Sequence, residues 1–253
     1  MVHVRALPGT PYHDQPMAEI VAAAAAEARL WADAGCDGLI VENMHDRPYL
    51  CRTVGSEIVA GMTAAVEAVV GAVGIPVGVQ ILAGANREAL AVAHLCGARF
   101  IRAEGFVFAH IADEGFMAGA DAGPLLRYRR DIGADGVAIL ADVRKKHASH
   151  AITADVPLDE QVRAAEFFGA DAVVITGPAT GQKADVEDVR RAAAAGAVPV
   201  AVGSGLTAEN IAIFWPLADL FIVGSSIKRD GLWSNSIDTL RLKAFMAAVA
   251  ALR

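Results

Sequence analysis

The stretch 201–231, AVGSGLTAENIAIFWPLADLFIVGSSIKRDG, decides how this sequence folds. It reads as the end of an apolar strand, a glycine turn at Gly203, Ser204 and Gly205, a helical run, a second apolar strand and a second glycine turn at Gly224, Ser225 and Ser226. Glycine just past two successive strand ends is the arrangement found after the seventh and eighth strands of a (β/α)8 TIM barrel. There, backbone N–H groups and helix-terminal dipoles favour a phosphate. Thr207 is placed to cap the helix after the first turn. Read blandly, the same glycines supply positive φ in two tight turns and nothing more.

Working outward, apolar strand-like runs occur at 2–6, 38–42, 77–81, 100–103, 137–141, 172–176, 198–202 and 220–223. Helical patterns lie between them at 17–34, 56–73, 87–96, 123–130, 158–168, 186–195, 208–214 and 237–252. Gly35, Gly74, Gly97, Gly133, Gly169 and Gly196 each follow a helical run, as left-handed C-terminal caps do. Asp37, Asp135, Asp171 and Asp219 then stand just ahead of their strands. The phrase recurs at roughly 30 residues per unit, the period of a barrel. Eight βα units in 253 residues predict one (β/α)8 domain spanning 1–253. An open doubly wound sheet is the rival, and no glycine-rich dinucleotide fingerprint follows the first strand.

Composition agrees with that architecture. Hydrophobic residues are 55% and aromatic ones 6%, so Ala, Val, Ile and Leu must fill the core. A formal charge of −7 argues against general nucleic-acid binding while leaving room for a local anion site. Cys36, Cys51 and Cys96 are odd in number and widely spaced, which predicts reduced, buried thiols. No leader-like segment precedes the first strand and no run is long and unbroken enough to cross a bilayer, so a cytoplasmic protein is expected.

In a barrel the chemistry lies at the C-terminal ends of the strands. Glu42, Glu104, Asp142 and His147 fall there and are the candidate proton-transfer groups. His3, Asn43, Gln80, Arg102, Lys145, Thr176 and Lys228 are candidates for orienting a ligand, and Asp46 with Arg47 for a local structural pair. His13, His94, His110 and His150 are read as packed or solvated. Glu42, Glu104 and Asp142 form a hard-ligand set that leaves a divalent metal open, though no metal motif such as HExxH supports it. Nothing points to an organic cofactor. No lysine falls within a strand, which disfavours a Schiff-base mechanism. The apolar segment 104–121, with Phe106, Phe108, Ile111, Phe116 and Met117, reads either as a lid or docking loop or as a short helix covering the rim.

The segments MVHVRALPGTPYH (1–13), DGLIVENMHDRPY (37–49), GVQILAGANREALAVAHLCGARFIR (78–102), ADVRKKHASH (141–150), ADAVVITGPATG (170–181) and 202–231 together resemble the BtpA family across nearly the whole chain. The resemblance implies a barrel akin to phosphate-binding enzymes. The family is named for a role in accumulating photosystem I in cyanobacteria, and other members occur without photosynthesis. It supplies no catalytic residue set to carry over. Gln80 and the pair Ala103-Glu104 depart from the asparagines often found at those two strand ends, which puts a shared ligand in doubt.

Two functions follow as expectations. One is an enzyme acting by acid/base chemistry on a small phosphorylated metabolite, a sugar phosphate or nucleotide-like molecule. The other is a noncatalytic assembly or regulatory factor that uses the barrel as a scaffold, with 106–117 docking a protein or a second copy of the chain.

Overall fold

A computed structural model describes residues 1–253. Eight parallel strands alternate with helices along the chain, and their order in the sheet is β1 (Val2–His3), β2 (Leu39–Glu42), β3 (Val77–Gln80), β4 (Phe100–Ala103), β7 (Ala138–Val143), β9 (Ala172–Thr176), β10 (Val200–Gly203) and β11 (Leu220–Ile222). Sequence order and sheet order coincide, as in a barrel and unlike a doubly wound sheet. The chain forms two compact units, Met1–Arg102 with Leu125–Ala138, and Ala103–Pro124 with Ile139–Arg253.

In the first unit, α1 (Met17–Asp33), α2 (Ser56–Ala72), α3 (Asn86–Cys96) and much of α4 (Ala122–Asp131) accompany the first strands. Helix α1 is an alanine-rich run of good helix formers that begins after Pro16. It buries Ile20, Ala24, Ala28 and Trp31, which share one face at helical spacing. Gly35 at φ 89° ends it. Gly97, Gly133 and Gly169 also adopt positive φ, but Gly196 is extended and α2 ends on an extended Val73. Gly196 is glycine for another reason: a Cβ there would lie 2.4 Å from the Glu166 carboxylate, which accepts the Ala197 N–H. The cysteines are free, as expected, but half-buried instead of buried.

The second unit contains β7, β9, β10 and β11, with α5 (Leu158–Phe167), α6 (Val186–Ala195), a single turn α7 (Ile211–Phe214) and α8 (Thr239–Ala250). The aspartates of the repeated phrase set its register. Asp171 donates its amide to Ile139 O at 2.9 Å and accepts the Ile139 amide on its carboxylate at 2.8 Å. Asp219 makes the same two-point latch with Val200, at 2.9 Å in both directions. Asp135 instead faces Arg130 on the surface. Latched starts bring Thr176, Gly203 and Ile222 side by side at the other end of β9, β10 and β11.

The segment 104–121 is neither an irregular lid nor a helix. It folds as a hairpin of β5 (His110–Ala112) and β6 (Gly115–Met117), and β5 pairs with β8 (Ala148–Ser149) in a small antiparallel sheet. Phe106 and Met117 are fully buried and pin its two ends, while Phe116 and Ile111 are exposed. Phe106 is therefore core and not a docking surface. Two strand ends also differ from expectation: β1 is only two residues long, and β7 runs on to Val143, which puts Asp142 inside the strand.

Replacing Asp171 by Ala strands the buried amide of Ile139, so unfolding free energy in urea should fall by about 1–3 kcal/mol. Asp171→Asn keeps an acceptor oxygen and should recover most of that loss.

Candidate functional site

In the first unit, His3 Nε2 lies 3.6 Å from Glu42 Oε2, both side chains buried, so the last residues of β1 and β2 form a contact pair. Gln80 is in register with Glu42, and it and Arg102 are also buried. Asn43 belongs to a different network. Its Nδ2 donates to Asp46 Oδ2 (2.9 Å), its Oδ1 accepts the Leu82 amide (2.7 Å), and Asp46 Oδ1 accepts the Leu7 amide (2.8 Å). Burial pushes the Asp46 carboxyl above its usual range, outweighing the bonds from Leu7 and Asn43 that pull it down. These contacts tie together the chain after β1, β2 and β3, so Asn43 is a strut and not a ligand-orienting group. Asp46 does not pair with Arg47, which instead stacks over the Tyr12 ring at 4.7 Å.

In the second unit, the turns after β10 and β11 leave neighbouring strands whose register aligns Gly203 with Ile222. Positive φ falls on Ser204 (68°) and Gly205 (62°), not on Gly203. A Cβ on Gly205 would sit 2.3 Å from Lys183 N, so the chain's own 182–183 backbone makes the close approach expected of a ligand there. Thr207 does not cap α7. Asn210 does the local work, accepting the Thr207 amide and donating to Gly205 O. Helix α7 is one turn long, too short for an appreciable dipole.

What remains for an anion is the backbone and two hydroxyls. The amides of Ser204, Gly205, Ser225 and Ser226 donate to no backbone carbonyl. Thr176 Oγ1 and Ser226 Oγ are buried with no hydrogen-bond partner. Lys228, for which an exposed position is the commoner outcome, is instead buried at 1% exposure.

A second constellation lies past β4 and β7. A narrow cleft is lined by Phe108, His110, Asp142, Arg144, Lys145 and His150 among others. Glu104 approaches Lys145 Nζ at 3.6 Å, and Glu114, from the turn between β5 and β6, contacts the same ammonium. His110 and His150, read from sequence as packed or solvated, line this cleft with ring centroids 5.6 Å apart. Glu114 and Arg144 escaped sequence reading. The signal for Glu114 was available: Asp113-Glu114-Gly115 between apolar residues is a hairpin turn.

His147 does not line the cleft. Its Nε2 accepts the Thr180 amide at 3.1 Å and lies 2.9 Å from Thr180 Oγ1, while its own amide donates to Pro178 O. An accepting Nε2 requires a neutral ring. Burial lowers the His147 pKa, Lys146 and Lys145 add to that, and Asp113 opposes it. The residue thus clamps the loop 177–184 and is not poised for proton transfer. No group of three or more His, Cys, Asp or Glu side chains is placed to hold a metal ion.

Strand order, helical alternation and the paired glycine turns define a TIM barrel of the kind that carries anion sites after its last two strands. Residues 1–251 match the BtpA family, and the chain belongs to it. The chain is 45% identical over 258 residues to an uncharacterised mitochondrial protein of Caenorhabditis elegans, covering 100% of this chain and 92% of that one. It is 37% identical over 251 residues to the photosystem I biogenesis protein BtpA of Synechocystis, covering 99% and 86%. Among solved structures, thiamine phosphate pyrophosphorylase from Pyrococcus furiosus superposes with a TM-score of 0.59 at 11% identity, over 90% of each chain, a likeness of fold. No helix is long and apolar enough to cross a membrane.

The clamp predicts a pH dependence. Because folding depresses the His147 pKa, its contribution is fully present above the unfolded value of about 6.5 and is lost as pH falls through the folded value. Hydrogen-exchange protection of the Thr180 amide, corrected for intrinsic rates, should drop as pH falls below that range. His147→Ala should show low protection at every pH.

Proposed function

We propose that this chain is a cytoplasmic enzyme acting as one domain over residues 1–253, binding a small phosphorylated metabolite, a sugar phosphate or nucleotide-like molecule, and working on it by acid/base chemistry. The observation that carries the reading is the alignment of two turns whose amides at Ser204, Gly205, Ser225 and Ser226 donate to no backbone carbonyl, beside the buried, partnerless hydroxyls of Thr176 and Ser226. Buried polar groups find partners in native structures. A phosphate oxygen supplies the acceptors those donors lack, and the buried ammonium of Lys228 adds positive charge on the same stretch. The name of the superposing pyrophosphorylase, which specifies a phosphorylated compound, is consistent with this.

Proton transfer falls to Asp142 and Glu104, buried carboxylates of the second unit, the one within β7 and the other just past β4, and to Glu42 with its partner His3 in the first. Asn43 and His147 drop out of the working set because their polar atoms hold the fold. Gln80, Arg102 and Thr176 remain ligand-orienting groups.

Inorganic phosphate should raise the thermal midpoint, by an amount equivalent to about 2.7 kcal/mol at one hundred times its dissociation constant. Thr176→Val and Ser226→Ala should each weaken binding about tenfold, or about 1.4 kcal/mol. No shift with phosphate, or shifts unaltered by both substitutions, would remove the basis for the ligand class.

A second reading, an assembly or regulatory role, is favoured by the exposed Phe116 and Ile111 on the hairpin and by the biogenesis role in the name of the Synechocystis relative. These side chains also suit contact between copies of the chain. If they form it, sedimentation should show an oligomer that Phe116→Ser dissociates while the phosphate response stays intact.

A further inference from the structure

Lys145 is 6% exposed and its ammonium is shared by two carboxylates, Glu104 at 3.6 Å and Glu114 in direct contact. Glu114 is 1% exposed, and its Oε2 makes no hydrogen bond. A carboxylate taken from water with an oxygen left open is costly unless something is gained by placing it there. Glu104 sits at the end of a central strand and has nowhere to go. Glu114 rides on the tip of a hairpin.

That hairpin is the weakest element of the second unit. Its strands are three residues each and its outer partner β8 has two. Such small ribbons are marginal by themselves. Phe108 (φ 60°) and Arg144 (φ 56°), both lining the cleft, hold left-handed backbone that non-glycine residues avoid. Phe106 and Met117 anchor the ends of the hairpin, so its tip can lift while its base stays in the core. Lys145 is held independently of the tip, because its carbonyl oxygen lies 2.9 Å from His150 Nε2.

We propose that Lys145 is a second anion subsite, that Glu114 occupies it as an internal stand-in when no ligand is bound, and that the ligand bears a carboxylate as well as a phosphate. The inference rests on the phosphate reading above for the other end of the molecule. Charge decides the chemical class. A ligand carboxylate replacing that of Glu114 leaves the charge of the pocket unchanged and releases Glu114 to water. A phosphate dianion in its place would instead change that charge. Register decides the reach. Val143 aligns with Ile175 and Ile175 with Val202, so Lys145 follows a strand two places from the one that ends at Gly203. At about 4.8 Å per strand, the two strand ends from which Lys145 and the glycine turn emerge lie about 10 Å apart. A phosphorylated sugar acid of about six carbons spans that distance.

Calorimetric titration of wild type, Glu114→Gln and Lys145→Met with 6-phosphogluconate, sorbitol 6-phosphate, gluconate and inorganic phosphate tests this. Glu114→Gln should bind 6-phosphogluconate at least tenfold more tightly than wild type, with sorbitol 6-phosphate and inorganic phosphate unchanged. Lys145→Met should bind 6-phosphogluconate no better than sorbitol 6-phosphate. The same preference for the carboxylate probe in wild type and Glu114→Gln would overturn the proposal. If inorganic phosphate binds no variant, the phosphate reading fails, and the gluconate arm alone judges Lys145: binding to Glu114→Gln but not to the double variant supports the subsite, and no binding to either overturns it. Should Lys145→Met fail to fold, hydrogen exchange over residues 110–117 of wild type replaces it. Carboxylate probes must then speed exchange of the hairpin tip where sorbitol 6-phosphate does not, and equal exchange with both overturns the stand-in role.

Discussion

The aspartate latch at the start of the strands is the constraint on which the second unit depends. In a parallel ladder a slip of one residue sends every side chain to the opposite face. Asp171 and Asp219 prevent it by engaging both polar groups of a neighbouring residue, amide to carboxylate and carbonyl to amide. With the starts fixed and strand lengths fixed, the far ends are fixed as well. Thr176, Gly203 and Ile222 reach the same level, and the turns beyond them emerge as neighbours. The ligand-facing end is thus determined by contacts made at the end that carries no chemistry, a division of labour general to this architecture.

Positioned polar groups then divide by whether the chain has already used them. Asn43 and His147 sit past strand ends, where catalytic groups belong, yet each has its hydrogen-bonding capacity spent on backbone: Asn43 on Leu82, His147 on Thr180. Removing Asn43 would leave the buried Leu82 amide unpaired, and removing His147 would release the Thr180 amide from its clamp. Thr176 and Ser226 present the opposite case, with buried hydroxyls that nothing in the chain satisfies. Position in the sequence does not separate these two kinds of residue. Satisfaction of their polar atoms does, because an unmet donor is tolerable in a folded protein only where something else completes it.

The division explains what the sequence made legible. Eight apolar runs, helices between them and glycines after four of the helices all follow from local periodicity and cap chemistry, and they appear where expected. The repeated aspartate was visible as a phrase, while its partner, a backbone amide some 20 to 30 residues away, was not. Gly205 keeps the positive φ of a turn residue and also meets the 182–183 backbone, 2.3 Å from where a Cβ would lie, while Gly196, read as a left-handed cap, is extended and faces the Glu166 carboxylate. The hairpin at 110–117 reads from sequence as a lid loop or a short helix because its strands are too short to show alternation, and its single inward carboxylate looks like any solvated turn acid. Non-local contacts of this sort leave no trace in composition or period.

Charge burial links these points to the chemistry. An acidic chain that buries Glu104, Glu114 and Asp142 beside Lys145 works against both its net charge of −7 and the desolvation of each carboxylate. Fixed elements can carry such a penalty because the rest of the core holds them, as β4 and β7 hold Glu104 and Asp142. A hairpin with three-residue strands has no comparable reserve, so the carboxylate it carries is the one whose insertion is easiest to reverse. Placing the reversible charge on the weakest element and the permanent charges on the strongest keeps the proposed exchange away from the strands that hold the core. It also makes exchange of one carboxylate for another the least disruptive way for a ligand to enter.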